Sequence, residues 1–529
     1  MGFREVEVAG VSDLRDGEMK NVTADGTTIL LARVNDRFYA VSPMCTHYGA
    51  PLAKGVLCGR RLVCPWHHAT FDITNGNLEE PPALDALVSY AVRVEGERVL
   101  VSIPDEAEDR RTPEMVQPDP AADTRQFVII GGGAAGYAAA QTLREEGFRG
   151  EVVMITREDR APYDRPNLSK DYLHGHADPE WMPLRPDEFF AEHGIKLVRN
   201  HDVTRVDAQA KTISFADGET MKYDALLVAT GGAPVHLSTP GAELKNVCML
   251  RSFADADAII ETAQRSRRAV VVGASFIAME AGYSLRERGL EVTIVAPSRV
   301  PFEKTLGAEI GELFRQLHES HGVQFKLGAT VARFEGTQNV EAVTLANGER
   351  IETDMVVVGV GVRPVTQFLQ GVELGQDGGV LVDSRLSAAE NVYAAGDIAS
   401  FPDPRTGQRT RIEHWRTALQ QGRAAARNMI GRDEPFTGVP FFWTRQFNVT
   451  LGYVGHAKTW DEIIYQGDVS AHKFLAFYAQ DDRVTAVAGM KHDREMAAVQ
   501  ELMRLDLLPT REQLKRGEVN LLEMLQCPA

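Results

Sequence analysis

The sequence predicts a multidomain chain, with an all-β N-terminal domain, an α/β region of two tandem parallel-sheet domains, and an α+β C-terminal domain. Three observations predict it. The chain has 529 residues, too many for one hydrophobic core when domains run to about 100–200 residues. Residues 1–105 read as short β segments, such as Thr28–Val34 and Ala91–Val94, broken by Gly and Asn-Asp turns. From residue 126 apolar strands alternate with amphipathic helices, and the pattern starts twice, at Gln126–Ile130 and at Ala269–Val272.

The expected boundaries follow. Residues 1–105 form the β domain, and 106–124, charged and Pro-rich without an apolar period, form a linker that is semi-rigid at best. The first α/β domain takes 125–247 and returns over 377–436, with the second α/β domain, 248–376, inserted between. Residues 437–529 turn strand-rich and then mainly helical from about Arg494. Hydrophobic residues at 44% and charged residues at 25% are ordinary for a soluble protein. No apolar run is of spanning length and the N-terminus turns strand-like at once, so a cytoplasmic protein without membrane contact is expected. A net charge of −17 opposes binding to nucleic acid. Five cysteines cannot make a disulfide framework; Cys58, Cys248 and Cys527 read as free thiols.

The other two cysteines stand in Cys45-Thr46-His47 and Cys64-Pro65-Trp66-His67. Two thiolates and two imidazoles, one of each per loop, are the mixed donor set of a Rieske [2Fe–2S] centre. A structural zinc site of two Cys and two His is the alternative, although zinc fingers pair Cys with Cys and His with His. Pro43 and Pro65-Trp66 resemble loops of the Rieske family. Ala50 and Trp66 stand where quinone-oxidising members carry an extra cysteine pair, so the resemblance is to Rieske ferredoxins. His68, where that family often has Gly, reads as a bystander, with a hydrogen bond near the cluster that tunes its potential as the alternative.

Gly131-Gly132-Gly133-Ala134-Ala135-Gly136 follows a strand and opens a helix, the context in which Gly131, Gly133, Ala135 and Gly136 bring backbone N–H groups to a pyrophosphate. Glu158, beyond the next strand, is placed to accept from an adenosine ribose. The second turn, Gly273-Ala274-Ser275-Phe276-Ile277-Ala278, keeps Gly273 but has Ser275 and Ala278 at its other key places. After the strand Val292–Val295 comes Ala296, where an acid would bind a ribose 2′-hydroxyl, and then Arg299, which suits a 2′-phosphate. No C-x-x-C occurs, and the segment Pro162–Lys170 resembles a loop that in NADH oxidases and CoA-disulfide reductases ends on a redox cysteine, where this chain has Ser169-Lys170; the resemblance therefore implies no thiol–disulfide catalysis.

On these residues, with Leu226–Gly232, Asn391–Asp397, Pro162–Lys170, Ile412–Ala418 and Pro440–Gln446, the whole chain resembles the Rieske-containing, apoptosis-inducing-factor-like FAD oxidoreductases. Residues 126–529 resemble ferredoxin reductases of aromatic-ring dioxygenase systems. The resemblance implies tandem Rossmann-like FAD and NAD domains, with FAD, a [2Fe–2S] cluster and NADH as cofactors, NADPH staying open because of Arg299. It implies that Thr230, Gly231, Gly396 and Asp397 bind FAD, that Arg165 and Lys170 lie beside the flavin, and that Glu280 faces the nicotinamide. Gly361 would close the NAD domain, and Trp415 and Trp443 would lie near the flavin. Lys170, Glu280 and Trp415 are the candidate catalytic residues, Trp415 also standing as an element between flavin and cluster. The implied activity is NAD(P)H:acceptor oxidoreduction, with electrons passing through FAD to the fused cluster and on to a protein or small-molecule acceptor. The alternative is an NAD(P)H-sensing redox switch or interaction protein. A homodimer, and transfer within one chain or between chains, are both left open.

Overall fold

The computed structural model describes residues 2–106, 108–517 and 519–525. Its N-terminal sheet runs in the order Phe3–Gly10, Arg98–Pro104, Ser89–Glu95, Arg37–Val41, Thr27–Val34, Met19–Ala24, antiparallel throughout. Thr27–Val34 lacks polar alternation because it separates two cores. Ile29 and Leu31 face the interior of the sheet domain, whereas Leu30, Ala32 and Val34 face a second core holding Cys45, Cys64 and Phe71. A four-stranded antiparallel sheet, Val56–Cys58, Arg61–Val63, Thr70–Asp72 and Leu78–Glu80, stands over that second core.

The next sheet runs Ile195–Val198, Glu151–Ile155, Gln126–Ile130, Ala225–Val228, Val392–Ala394, Ser387–Ala389, parallel except at its last pair. The central strands are buried on both faces, which is why they read as unbroken apolar runs. The helix Ala134–Glu145 packs against Trp415–Met429 so closely that a Cβ on Gly422 would stand 2.2 Å from the Ala135 carbonyl. A second, all-parallel sheet runs Val247–Met249, Met355–Val358, Arg268–Val272, Glu291–Ala296, Gln324–Leu327. The C-terminal sheet is antiparallel, Phe441–Gln446, Val449–Gly455, Arg483–Met490, Lys473–Gln480, Glu462–Asp468, and the helix Asp493–Arg504 packs on it. Among the described residues no helix is long and apolar enough to cross a membrane.

The connecting segment is fastened rather than free. Arg111 bridges to Ala86, the Val116 N–H donates to the Arg144 carbonyl at 3.1 Å, and the Asp119 N–H to that of Arg149 at 2.8 Å.

The N-terminal domain is docked on the rest of its own chain through a buried seam. Arg416, fully buried, pairs with Glu80 at 2.6 Å and donates to the carbonyls of Pro81, His68 and Val439. Arg61 joins Glu80 at 2.6 Å to the buried Glu501 at 3.1 Å. His68 adopts a left-handed φ of 61°, its Nδ1 lies 2.8 Å from Gln500 Oε1, and its ring stacks on Phe441 with centroids 4.0 Å apart. It is a docking residue, not the bystander expected.

Candidate functional site

Two loops built alike carry the cysteines. The Cys45 N–H donates to the Ala50 carbonyl at 2.8 Å and the Cys64 N–H to that of Ala69 at 2.9 Å. These turns aim the His47 and Tyr48 N–H groups at the Cys45 sulfur, and those of Trp66 and His67 at the Cys64 sulfur. Both cysteines are buried. The imidazoles meet Nδ1 to Nδ1 at 3.1 Å. Burial pushes His47 down to about 3 and His67 well below its ordinary value, which keeps both neutral, the ligating form. The hydrogen bond with Cys64, then burial, pushes the Cys45 thiol up. Burial also raises Cys64, but the Cys45 bond and the two amides outweigh it and leave that thiol lowered.

This donor set suits a two-iron cluster. Among the described residues, the groups of three or more His, Cys, Asp or Glu whose ligand atoms gather within 4.8 Å lie elsewhere. Cys45 and Cys64 are hydrogen-bonded to each other and the two imidazoles meet at Nδ1, so the donors stand as a sulfur pair and a nitrogen pair, the set that would hold one iron each. Cys248 is free, but Cys58 is disulfide-bonded, which corrects the expectation of a free thiol. Cys527 lies outside the described residues.

The flavin-type cradle passes a similar test. Gly131 has φ of 128° and a Cβ there would stand 2.2 Å from the Ala229 carbonyl, while one on Gly136 would stand 1.9 Å from that of Gly131. A Cβ on Gly133, at the head of the helix, would meet nothing within 4 Å. Two glycines thus permit the tight turn and close packing, and the middle one leaves its amide open to a pyrophosphate. In the second turn a Cβ on Gly273 would lie 2.3 Å from the Gly359 carbonyl, and Ser275 heads the helix Phe276–Glu287 with its hydroxyl 3.3 Å from that same carbonyl.

Between the two turns lies a cavity of about 410 Å³. Gly133, Ala135, Arg165, Lys170, Gly231, Ser275, Glu280, Gly361, Gly396, Asp397, Trp415 and Trp443 all line it. Gly131, Gly136, Gly273 and Ala278 shape the turns behind it, and Thr230 donates to the Val365 carbonyl at 2.6 Å. Glu158 is engaged by Arg165 at 2.8 Å and by the Tyr163 hydroxyl at 2.7 Å. Burial pushes its carboxyl up, but these partners outweigh burial and hold it below the usual range. Arg299 lies away from the cavity wall, 85% exposed.

Glu280, 2% exposed, is the knot of the cavity. Lys170 pairs with it at 2.8 Å, Thr444 donates at 2.7 Å, and the Ser169 hydroxyl donates to the same carboxylate. One carboxylate therefore ties the loop after Pro162, the second α/β domain and the C-terminal sheet together. Asp397 pairs with Arg251 at 2.8 Å.

The aromatic wall corrects one expectation. Trp415 lines the cavity and packs on the core of the first α/β domain. Among the described residues it is Trp443, not Trp415, whose ring reaches the cluster loops, 4.2 Å from the His67 ring and 6.4 Å from that of His47. Motif reasoning missed Arg251, Thr444 and His414. The last lines the cavity with a buried Nδ1 that has no protein partner, an atom left for a bound group. Thr444 and His414 stood inside segments already singled out, but neither residue type signals its role alone.

Comparison with known proteins agrees with this layout. Residues 4–91 match the family model for the Rieske [2Fe-2S] domain, 125–422 that for pyridine nucleotide-disulphide oxidoreductase, and 441–525 that for the reductase C-terminal region. The chain is 38% identical over 510 residues to apoptosis-inducing factor 3 of Homo sapiens, covering 94% of this chain and 84% of that protein. It is 31% identical to the benzene 1,2-dioxygenase system ferredoxin–NAD(+) reductase subunit of Pseudomonas putida, covering 75% of this chain and 97% of the subunit. Among solved structures, the covalent putidaredoxin reductase–putidaredoxin complex aligns with a TM-score of 0.72 and 28% identity, covering 76% of this chain and 99% of that one.

Proposed function

The chain belongs to the pyridine nucleotide-disulphide oxidoreductase family, as a ferredoxin-reductase-like NAD(P)H flavoprotein with a Rieske domain, and from that premise we propose that it reduces its own cluster within one chain. When bound, FAD supplies the conversion of a hydride from NAD(P)H into single electrons, and the [2Fe–2S] cluster carries them singly. The protein's part is binding, positioning and exclusion of water. Gly133 would present its amide to the pyrophosphate of FAD at a helix head that Gly131 and Gly136 allow to turn tightly. Lys170, fixed by Glu280, lines the cavity wall beside Ser169, and Cys45, His47, Cys64 and His67 would hold the cluster.

The observation that carries the proposal is Trp443. Its indole lines the cavity on one side and packs at 4.2 Å on the His67 ring on the other, so one side chain stands against both sites. One relative was solved as a covalent complex with a second protein, putidaredoxin; this chain carries a docked domain of its own. The acceptor beyond the cluster is read as a protein or small oxidant, with the homologous ferredoxin reductases in support, and the compartment as cytoplasm.

The test is rapid mixing of fully loaded chain with NADH, following flavin and cluster absorbance separately. Cluster reduction should be first order and independent of protein concentration, and Trp443→Leu should slow it while flavin reduction keeps its rate. A rate that scales with protein concentration would move the transfer between chains.

A further inference from the structure

The end of the strand Glu291–Ala296 is where a nucleotide fold reads the ribose 2′ position, through an acid for a hydroxyl or a basic residue for a phosphate. Ala296 supplies neither. Arg299 follows, yet it is not a free cation. Its guanidinium lies 2.6 Å from Glu303 Oε1, and its own N–H donates to Glu303 Oε2 at 3.0 Å. These two contacts, the amide first, hold the Glu303 carboxyl below the usual range.

The loop that carries the pair is anchored to the nucleotide turn. Phe302 has φ of 56°, is buried, stacks on Phe276, and donates its N–H to the Ala274 carbonyl at 3.0 Å. Ala274 sits inside the Gly-rich turn, so Arg299 and Glu303 are fixed relative to the place of the pyrophosphate. On the neighbouring strand, Lys326 is likewise taken by Glu349 at 2.6 Å. Lys304 is a further cation facing Glu303.

We infer that Glu303 is the residue that sets cofactor choice, acting through Arg299: it occupies the guanidinium that would otherwise receive a 2′-phosphate, and so selects NADH. This rests on the NAD(P)H reading above. A dianionic phosphate must displace a carboxylate already bonded twice and then lie beside it, whereas a 2′-hydroxyl pays no such repulsion.

The experiment compares binding of adenosine 2′,5′-bisphosphate and 5′-AMP to the FAD-loaded full chain by calorimetry, with KM for NADPH and NADH measured alongside. Glu303→Gln should improve the bisphosphate-to-AMP affinity ratio on the order of tenfold, with the NADPH gain carried by KM. Adding Arg299→Ala to that variant should erase the gain while 5′-AMP affinity is kept, a pattern misfolding does not give. The inference is overturned if Glu303→Gln leaves the ratio unchanged, or if the gain survives loss of Arg299. A chain that oxidises neither dinucleotide would overturn the parent reading instead.

Discussion

Ion pairs do different work at the two ends of this molecule. At the seam between the N-terminal domain and the reductase, Arg416, Glu80, Arg61 and Glu501 are buried or nearly so, and each charge is shared among several partners. At the rim where the ribose 2′ position is read, Arg299 and Glu303 form one pair on an exposed loop. Breaking one partner of a buried pair strands the other charge and costs about 3–5 kcal/mol, whereas an exposed pair is worth about 0–1 kcal/mol. The seam is thus an architectural joint, and the rim is a place where charge can select a ligand without holding the fold.

The largest effect expected from this contrast is at Arg416. Arg416→Met keeps most of the bulk but takes from Glu80 one of its two arginine partners and from three carbonyls the guanidinium that reaches them. It should destabilise the docked arrangement by about 3–5 kcal/mol, seen in calorimetry as an N-terminal domain that melts apart from the reductase. A single unshifted transition would erase the distinction between seam and rim.

Acid should loosen the same joint. Burial pushes the Glu80 carboxyl up, but Arg416 and Arg61 outweigh burial and bring it down to about 2. A depressed folded-state value means that the stabilisation is full above the unfolded value, about 4.5, and is lost as pH falls from there through about 2. The loss is on the order of 3 kcal/mol. Glu80→Gln should flatten this part of the stability profile measured by urea unfolding.

A smaller effect belongs to His68. His68→Gly removes the Gln500 bond and the Phe441 stack, but it relieves a backbone that glycine adopts freely. A net cost of about 1–2 kcal/mol in urea unfolding is expected. Smallest of all, Arg299→Ala should change stability by no more than about 0.5 kcal/mol; a larger loss would make the rim structural.

The features legible in the sequence were those whose partners are near in the chain. C-x-H with C-x-x-H, and the turn after Ile130, are each one loop, so residue type and spacing are enough to read them. Glu280 and Trp443 were placed by resemblance, yet Ser169, Lys170 and Thr444 meet at Glu280 only because three domains converge there. Arg416 reads as one more helix cation until its partner, 336 residues away, is known. His68 looked incidental for the same reason, because its meaning lies in Gln500 and Phe441. Resemblance put both Trp415 and Trp443 near the flavin and named Trp415 as the element between the compartments; only the packing of the C-terminal sheet against the cluster loops separates the two.

Because one indole borders both compartments, the molecule carries an internal optical gauge of its own maturation. Emission from Trp443, isolated from the other four of five tryptophans as the difference between the chain and its Trp443→Phe variant, responds to whatever fills the cavity and to whatever the two histidines hold. Separate additions of flavin and of iron with sulfide would then quench it in two resolved steps if the compartments fill independently, and in one if they fill together. The order in which the two prosthetic groups enter becomes something a fluorimeter can time.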